Sequence, residues 1–462
     1  MDRQRSEGDV AGHGGVDVIA DVADANRPLA ELQPEPAKPP VAQALASLPE
    51  PSWMKALRVE ADERVGQLAM PTTRDESWRF TDIAPLLQLS LQPQRTSCCL
   101  QAGDIDAYLI DEATTRLVFV DGIHVPRLSS VDTARAGIEV GNLNSVAAQQ
   151  GATIQKHLGR HAAFHDKPFA ALNTASLHDA AVILIARGTA VATPVHLLFI
   201  ATQPGITSHP RALLVAEPAS AVTLIEDYVA LHDGAYFTNS VVEIVLGACA
   251  AVEHVRVQRE SSQALHVASC AVSLAQAGRY HSVNVALGAR ISRLELDVRQ
   301  TAEATECSLD GLALIDERQL ADTHTLIDHA QPHGVSRQLH KTIVGGAAHA
   351  VFSGKVMVRP GAQQTDSAQS SRNLLLSAKA QVDTLPQLEI FADDVKCTHG
   401  AAVGQLDNEE IFYLRSRGLS EVAARSLLTH AFGAEIIDRI PVASLRRRLE
   451  QSVLERTSKG PP

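Results

Sequence analysis

The chain has 462 residues and a formal net charge of −12, and 45% of its residues are hydrophobic but only 4% aromatic. This length predicts two or three domains, because a single hydrophobic core stops growing well below it. The negative charge argues against a nucleic-acid partner, since nothing would offset repulsion by the phosphates. No apolar run approaches the length of a membrane span; the longest, residues 180–186, ends at Arg187.

The six cysteines include no C-x-x-C pair, and no secretory leader is evident. This pattern is typical of reduced thiols, and we expect a cytoplasmic protein. No Walker A motif is visible, because Gly354-Lys355 lacks both the upstream glycine and the Ser or Thr that would hold magnesium. If the protein works with ATP, we expect the ATPase to be another chain.

The N-terminal region has two predicted parts. Residues 1–51 hold seven of the 22 prolines and no aromatic residue, a composition that predicts a disordered tail. Residues 52–179 are predicted to form a helical or mixed domain, with an apolar helix face that includes Leu57 and Val65. Trp78 and Phe80 follow this helix, and we expect them to anchor its end to the next domain.

Short β-favouring runs recur from residue 180 to residue 405, separated by small-residue turns such as Leu246-Gly247-Ala248 and Gly345-Gly346-Ala347. Regularly spaced strands without intervening helices indicate an all-β architecture. The low aromatic content favours stacked, flat coils over a sandwich, and a right-handed parallel β-helix fits best. The predicted strands include residues 117–120, 182–185, 196–200, 212–215, 241–246, 252–257, 281–287, 294–298, 341–344 and 355–358.

A histidine cluster, His324, His329, His333 and His340, invites a zinc interpretation. Pro332 argues against it, because it keeps the preceding residue out of helical geometry, so two of these histidines cannot share a helix face. We expect coil packing and hydrogen bonding instead.

The candidate site lies in the last predicted strand. Cys397 and His399 stand two residues apart, so an extended backbone sends both side chains to the same face. A thiol beside an imidazole suits iron, iron–sulfur species or zinc. Two ligands alone do not complete a metal site, however. The alternative to a metal site is a packed cysteine beside a hydrogen-bonded strand histidine. Gly400 follows, where we expect a close turn or a near neighbour.

Residues 406–462 are predicted to be helical. Asp407 and Glu410 have the spacing of a capping box, Gly418 ends that helix, and Ser420 caps the next one. The second helix carries an apolar stripe with helical spacing at Ala424, Leu427, Leu428, Ala431 and Phe432. The stripe closes the end of the β-helix or docks a partner, and the two roles can coexist on different faces.

Residues 396–419, KCTHGAAVGQLDNEEIFYLRSRGL, closely resemble the C-terminal signature of the SufB/SufD family of the SUF iron–sulfur cluster assembly system. Residues 76–81, ESWRFT, resemble the N-terminal E-x-W-R-x-T signature of SufD proteins. Within the family, Gly400 and the run VGQLD at 403–407 are similar to SufD, whereas SufB members usually carry Glu after the corresponding histidine.

The resemblance implies a β-helix flanked by helical domains, in a non-enzymatic scaffold subunit that pairs with a SufB-like subunit through the β-helix ends. A SufC-like ATPase would dock on the C-terminal region. His399 and Cys397 would join a partner cysteine at a transient iron or iron–sulfur site, with no cofactor held tightly by this chain alone. The docking residues implied are Ile411, Phe412, Leu414, Leu427, Leu428 and Phe432.

Two other functions remain open at this point. The chain could be a SufB-type scaffold that carries the nascent cluster itself, and a homodimer stays open as an assembly. A β-helix carbohydrate-active enzyme is the weaker alternative, because such a site needs acidic pairs beside aromatic sugar platforms and no such pairing is visible.

Overall fold

The computed structural model describes residues 51–93, 100–132 and 136–458. Most of this described chain is a parallel β-helix of about 8 turns, with helices at both ends of the sequence. Each turn contributes one strand to each of two facing sheets. The predicted β-helix is confirmed. All but the last residue of the predicted tail, 1–51, lies outside the described residues.

The helices lie almost wholly outside the β-helix in sequence. Short 3-10 helices occur at Glu76–Trp78, Ala102–Tyr108 and Pro126–Leu128. The α-helices are α1 (Ser52–Gln67), α2 (Ala84–Leu87), α3 (Leu143–His157, kinked at Gln150), α4 (Pro168–Ala175), α5 (Asn408–Ser416), α6 (Glu421–Ile437) and α7 (Ala443–Ser458).

The first sheet has 11 strands. Its main path runs β20-β18-β16-β14-β12-β10-β8-β5-β4, with β7 beside β10 and β1 beside β7. Its strands are β1 (Gln92–Pro93), β4 (Ile138–Asn142), β5 (Ala181–Ile185), β7 (Ile206–Ser208), β8 (Arg211–Ala216), β10 (Phe237–Leu246), β12 (Leu265–Leu274), β14 (Ile291–Gln300), β16 (Leu320–His329), β18 (His349–Val358) and β20 (Gln381–Ile390).

The second sheet has 10 strands in the order β21-β19-β17-β15-β13-β11-β9-β6-β2-β3. Its strands are β2 (Thr115–Val120), β3 (Ile123–His124), β6 (Val195–Ala201), β9 (Ala221–Ala230), β11 (Ala251–Arg259), β13 (Arg279–Ala286), β15 (Glu306–Ile315), β17 (Val335–Val344), β19 (Asp366–Leu375) and β21 (Lys396–Gln405).

Register is kept from coil to coil, so equivalent residues stack in columns. Val252 pairs with Tyr280, Tyr280 with Cys307, and this column continues to the last strand. Since side chains alternate across a strand, every second column faces the space between the two sheets, which we call the lumen. The predicted small-residue turns at 246–248 and 345–347 lie at the corners between strands.

Three apolar clusters hold the architecture together. The first fills the lumen in the N-terminal coils, where Leu197, Ile244 and Leu274 are fully buried. The second packs α1, α3 and α4 on the outer face of the first sheet. The third packs α6 and α7 on the outer face of the second sheet. No helix among the described residues is long and apolar enough to cross a membrane.

The segment after α1 anchors the N-terminal helices to the first sheet, as its sequence predicts. Trp78 is buried, and the guanidinium carbon of Arg293 lies 3.8 Å from the centre of its ring. Thr81 donates a hydrogen bond of 2.5 Å to Asp322. These two contacts join residues that are distant in the sequence, and they fix the helical region on the sheet.

The second C-terminal helix, α6, presents a different face from the one that its stripe predicts. Ala424 is buried, but Leu427 is 45% exposed and Ala431 is exposed. The buried face continues instead through Thr429 and Gly433. A Cβ atom on Gly433 would lie 3.5 Å from Ile343 of the sheet, so the helix sits close against the strands there. The helix covers the side of the β-helix, and the alternative that the stripe closes its end is wrong.

A fully buried ion pair joins the N-terminal helices to the first sheet. Arg211 donates to Glu243 at 2.6 Å, and neither side chain is exposed. Glu243 also accepts hydrogen bonds from the backbone N–H groups of Gly159, His161 and Ala162 at 2.7 to 3.0 Å. Burial raises the pKa of Glu243, but Arg211 and these donors outweigh burial and lower it.

We expect Glu243→Ala to destabilise the protein by about 3–5 kcal/mol, because it leaves the Arg211 charge buried without a partner. The lowered pKa of Glu243 means that its contribution is complete above the unfolded-state pKa and is lost as the pH falls through the folded-state pKa. Thermal unfolding at several pH values checks both statements. Glu253→Ala, which removes an exposed partner of His281, is the matched control and should cost less than about 1 kcal/mol. Equal losses in the two variants would contradict the expectation.

Candidate functional site at the open end of the β-helix

The last coil of the β-helix has no further coil on its outer side. Its strands, β20 and β21, end the two sheet orders, so each is hydrogen-bonded to a strand on one side only. Nine of the ten residues of β21 are exposed. An unpaired strand edge is a template for another chain. This end is therefore an open surface that exposes side chains which earlier coils bury in the lumen.

Cys397 and His399 both lie in inward-facing columns of this last coil. Cys397 pairs with Ser367 and His399 with Gln369 of the preceding coil. Their shared orientation agrees with the spacing argument, which puts their Cα atoms about 6.6 Å apart. The strand thus presents a thiol and an imidazole side by side at the open end.

The two side chains have different environments. Cys397 is half-buried beside Val356, Val358 and Ala392. Burial raises the pKa of its thiol, and a hydrogen bond from the backbone of Ser367 opposes that rise only in part. His399 is exposed and has no hydrogen-bond partner among the described residues. The imidazole is therefore free to bind a ligand, whereas the thiol must lose a proton before it can do so.

These two residues do not form a complete metal site. Across the described residues, no group of three or more His, Cys, Asp or Glu side chains could hold a metal ion. Metal sites normally need three or four protein ligands. The missing ligands would have to come from another molecule that covers the open end.

Gly400 differs from its prediction. It lies in the middle of β21 rather than at a turn, and no atom lies within 4 Å of the position that its Cβ would occupy. The expectation of a close turn or near neighbour is wrong, since the strand runs straight through to Gln405. The absence of a side chain at this position leaves the surface beside His399 open.

Apolar side chains are also exposed at the open end. Val403, in the same inward-facing set as His399, is 50% exposed. Ile390, at the end of β20, is 39% exposed, and the next residue, Phe391, is 61% exposed. Apolar groups with polar neighbours are typical of a protein–protein contact surface. The open end therefore combines unpaired backbone, apolar contact area and two potential metal ligands.

The six predicted docking residues differ in how far their side chains are exposed. Phe412 is 72% exposed and Leu427 is 45% exposed, whereas Ile411 is buried at 5%. Phe432 packs partly against the sheet, and the Lys341 ammonium lies 4.4 Å from the centre of its ring. Leu414 and Leu428 are half-buried. Phe412 and Leu427 are thus the members of the set that are best placed to meet a partner.

The four clustered histidines lie in two strands and one turn of the β-helix. His324 contacts Asp322, His329 hydrogen-bonds Ser336 at 2.9 Å, and His340 stacks on Phe352. His333 lies in a turn with a φ of 61°. The first three serve packing, ion pairing or hydrogen bonding, and His333 is exposed.

Sequence reasoning missed the residues directly beneath the site. Gln338 and Gln369 lie below His399 in the same inward column and are buried. In the sequence, β19 reads Ser367, Gln369, Ser371 and Asn373 at every second position, a pattern that normally indicates a solvent-exposed face. No signal in the sequence alone marks these residues, because their burial depends on the register that places them beneath the histidine of the next coil.

Comparison with known proteins agrees with this architecture. Residues 199–432 match the family model described as SUF system FeS cluster assembly, SufBD core domain, and residues 42–197 match the SufBD protein N-terminal region. An iron–sulfur cluster assembly SufBD family protein of Synechocystis is 40% identical over 90% of this chain and 94% of its own length.

Two further relatives carry the name iron–sulfur cluster assembly protein SufD. The Escherichia coli protein is 32% identical, over 87% of this chain and 93% of its own length. The Bacillus subtilis protein is 26% identical, over 89% of this chain and 95% of its own length. The resemblance carried by residues 76–81 and 396–419 is thereby confirmed. The chain belongs to the SufBD family of iron–sulfur cluster assembly proteins.

Proposed function

We propose that this chain is a SufD-like, non-enzymatic subunit of a SUF scaffold complex in the cytoplasm. It pairs with a SufB-like subunit through the open end of the β-helix and docks a SufC-like ATPase on its C-terminal helices. One observation carries the proposal: the last coil leaves His399 exposed on a strand whose outer edge is unpaired, at an end that also exposes apolar side chains. That combination suits a surface that is completed by a second protein.

Iron and sulfide are the substrates of this surface. His399, and secondarily Cys397, bind iron or the nascent cluster together with a thiolate from the partner. A shared site explains why only two ligand types converge within the described residues. A shared site also forms when the two subunits pair and opens when they separate. The cluster is therefore transient, and this chain alone holds no cofactor tightly.

The SufD-like assignment is favoured over a SufB-type scaffold by two observations. Gly400 follows His399 where SufB-like sequences usually carry Glu, so this chain lacks a carboxylate beside the imidazole. The relatives described above include two proteins named SufD. A self-paired dimer would use the same open end and is distinguished by the composition of the purified complex.

Co-expression with a SufB-like subunit tests the proposed pairing, and Val403→Lys should break it. The lysine places a charge in the apolar part of the open end, where pairing would strip it of water without a partner. We expect the affinity to fall about 100-fold, equivalent to about 2.7 kcal/mol, measured by a pull-down and by calorimetry.

Leu231→Lys is the matched control, because Leu231 is 37% exposed and lies in a turn after β9, away from the last coil. It should pair normally. A Val403→Lys chain that binds its partner as tightly as the unchanged protein would exclude the open end as the pairing surface. Recovery of this chain with itself alone would favour the homodimer.

A further inference from the structure

The lumen changes character along the β-helix. In the N-terminal coils it is filled by apolar side chains such as Leu197, Ile244 and Leu274. Toward the open end, the inward-facing positions of the second sheet become polar. They comprise Ser336, Gln338, His340 and Thr342 on β17, and Ser367, Gln369, Ser371 and Asn373 on β19, all of which are buried.

Several of these buried polar atoms have no hydrogen-bond partner among the described residues. Gln369, at 3% exposure, leaves both its amide nitrogen and its amide oxygen unpaired. The same is true of one nitrogen in Gln338 and in His340, and of the side-chain oxygen of Asn373. Buried polar groups in folded proteins are almost always hydrogen-bonded, to protein or to ordered water. A cluster of unpaired atoms in one stretch of the lumen therefore points to water.

The lumen has room for water at this level. A cavity of about 30 Å³ lies between the two sheets, and its polar lining includes Arg256, Asn284, Ser292, Thr323 and His340. A single water needs roughly 10–15 Å³ of such volume and two to four polar partners. The cavity meets both conditions, and the unpaired Nε of Arg256 is a further donor at its edge.

Two glycines provide the space in which the polar side chains cross the lumen. A Cβ atom on Gly311 would overlap the ring of His340, and one on Gly354 would overlap the amide of Gln369. Both glycines lie in mid-strand, in β15 and β18, where a side chain would otherwise fill the lumen. In the column of His340, polar side chains continue through the earlier coils at Asn284 and Arg256.

We propose that the lumen between Arg256 and the last coil holds a file of ordered water molecules that opens to solvent beside His399. His340 and His399 lie on strands that are two strand spacings apart, about 10 Å, and Gln369 lies on the strand between them. The water file is a property of the free chain, so it does not depend on the proposed pairing. When another protein covers the open end, the file remains as an internal water supply to that surface.

Hydroxyl-radical footprinting of the purified full chain by water radiolysis tests the proposal, because buried side chains beside bound water are oxidised where equally buried dry ones are not. Phe352 lines the cavity and is 3% exposed, and Phe119 in the apolar lumen is also 3% exposed. We expect Phe352 to be oxidised several-fold faster than Phe119. Equal, slow oxidation of the two phenylalanines would overturn the proposal.

A variant of the chain tests where the file of water molecules opens to solvent. Gln369→Leu replaces the unpaired amide by an apolar group between the cavity and His399, and should slow oxidation of Phe352 toward the rate of Phe119. Ala368→Leu adds an apolar group at the next position, on the opposite face of the same strand, and should leave the rate unchanged. Unchanged oxidation in a folded Gln369→Leu chain, verified by circular dichroism, would refute an opening beside His399.

Discussion

A scaffold complex that contains the His399→Ala variant is expected to assemble normally and to form little iron–sulfur cluster. The imidazole is exposed and has no hydrogen-bond partner among the described residues, so its removal costs the fold almost nothing. A ligand taken from a sparse, shared set is different. Loss of even a supporting residue around a metal lowers affinity 10–100-fold, so we expect cluster yield to fall by at least about tenfold. The measurement is the visible absorption of the complex after anaerobic reconstitution with iron and sulfide.

The matched control is Thr398→Ala, which alters an exposed residue on the opposite face of the same strand and should leave the yield unchanged. Cys397→Ser should reduce the yield less than His399→Ala, because in the proposed complex the partner supplies the main thiolate. A normal yield from the His399→Ala complex would remove His399 from the site and return it to the alternative of an ordinary strand histidine.

The second large effect is expected at the C-terminal helices. Phe412 is the most exposed of the predicted docking residues, and Leu427 is also exposed. A large aromatic side chain at a contact surface typically carries much of the binding energy, about 2 kcal/mol or more. We therefore expect Phe412→Asp to weaken binding of the SufC-like ATPase at least about 30-fold, as measured by calorimetry.

A point variant is a better test than removal of the C-terminal helices. Ile436 and Ile437 of α6 and Leu445 of α7 are fully buried against the second sheet, so truncation would expose that sheet and unfold part of the protein. Val59→Asp is the matched control, since Val59 is 51% exposed on α1. Unaltered ATPase binding by the Phe412→Asp chain would exclude this surface as the docking site.

The strands that were easiest to predict are those buried on both faces. β6 is buried at every position, between the lumen and neighbouring elements, and its sequence is apolar except at His196. Residues 196–200 were therefore predicted almost completely. The predicted β-helix follows from many such runs together with small-residue corners.

The strands of the last coils were only half predicted. The run at 341–344 is the end of a strand that begins at Val335. The first half of this strand was missed, since it carries polar residues such as Ser336 and Gln338 at alternate positions. Such alternation normally indicates a solvent-exposed face, but here the polar side chains point into the lumen. A single sequence cannot reveal this, since it depends on which coil each strand stacks upon.

The candidate site was predicted in part. The two-residue spacing gave the shared face of Cys397 and His399, and residues 396–419 gave the family. The spacing could not reveal that β21 is the last strand of its sheet, because nothing in its local composition marks an open end.

The predicted capping box at the start of α5 was also only partly right. Asp407 does cap α5, but its side chain accepts a hydrogen bond from the backbone N–H of Glu409 rather than forming a box with Glu410.

The most direct test of the central claim asks whether an imidazole of this chain binds the nascent cluster. Histidine labelled with ¹⁵N in this chain only, in a reconstituted complex reduced to a paramagnetic cluster, permits electron–nuclear double resonance on the nitrogen. We expect a ¹⁵N hyperfine coupling that disappears in His399→Ala. A cluster that forms in the complex without such a coupling, or a coupling that persists in the variant, would contradict this claim.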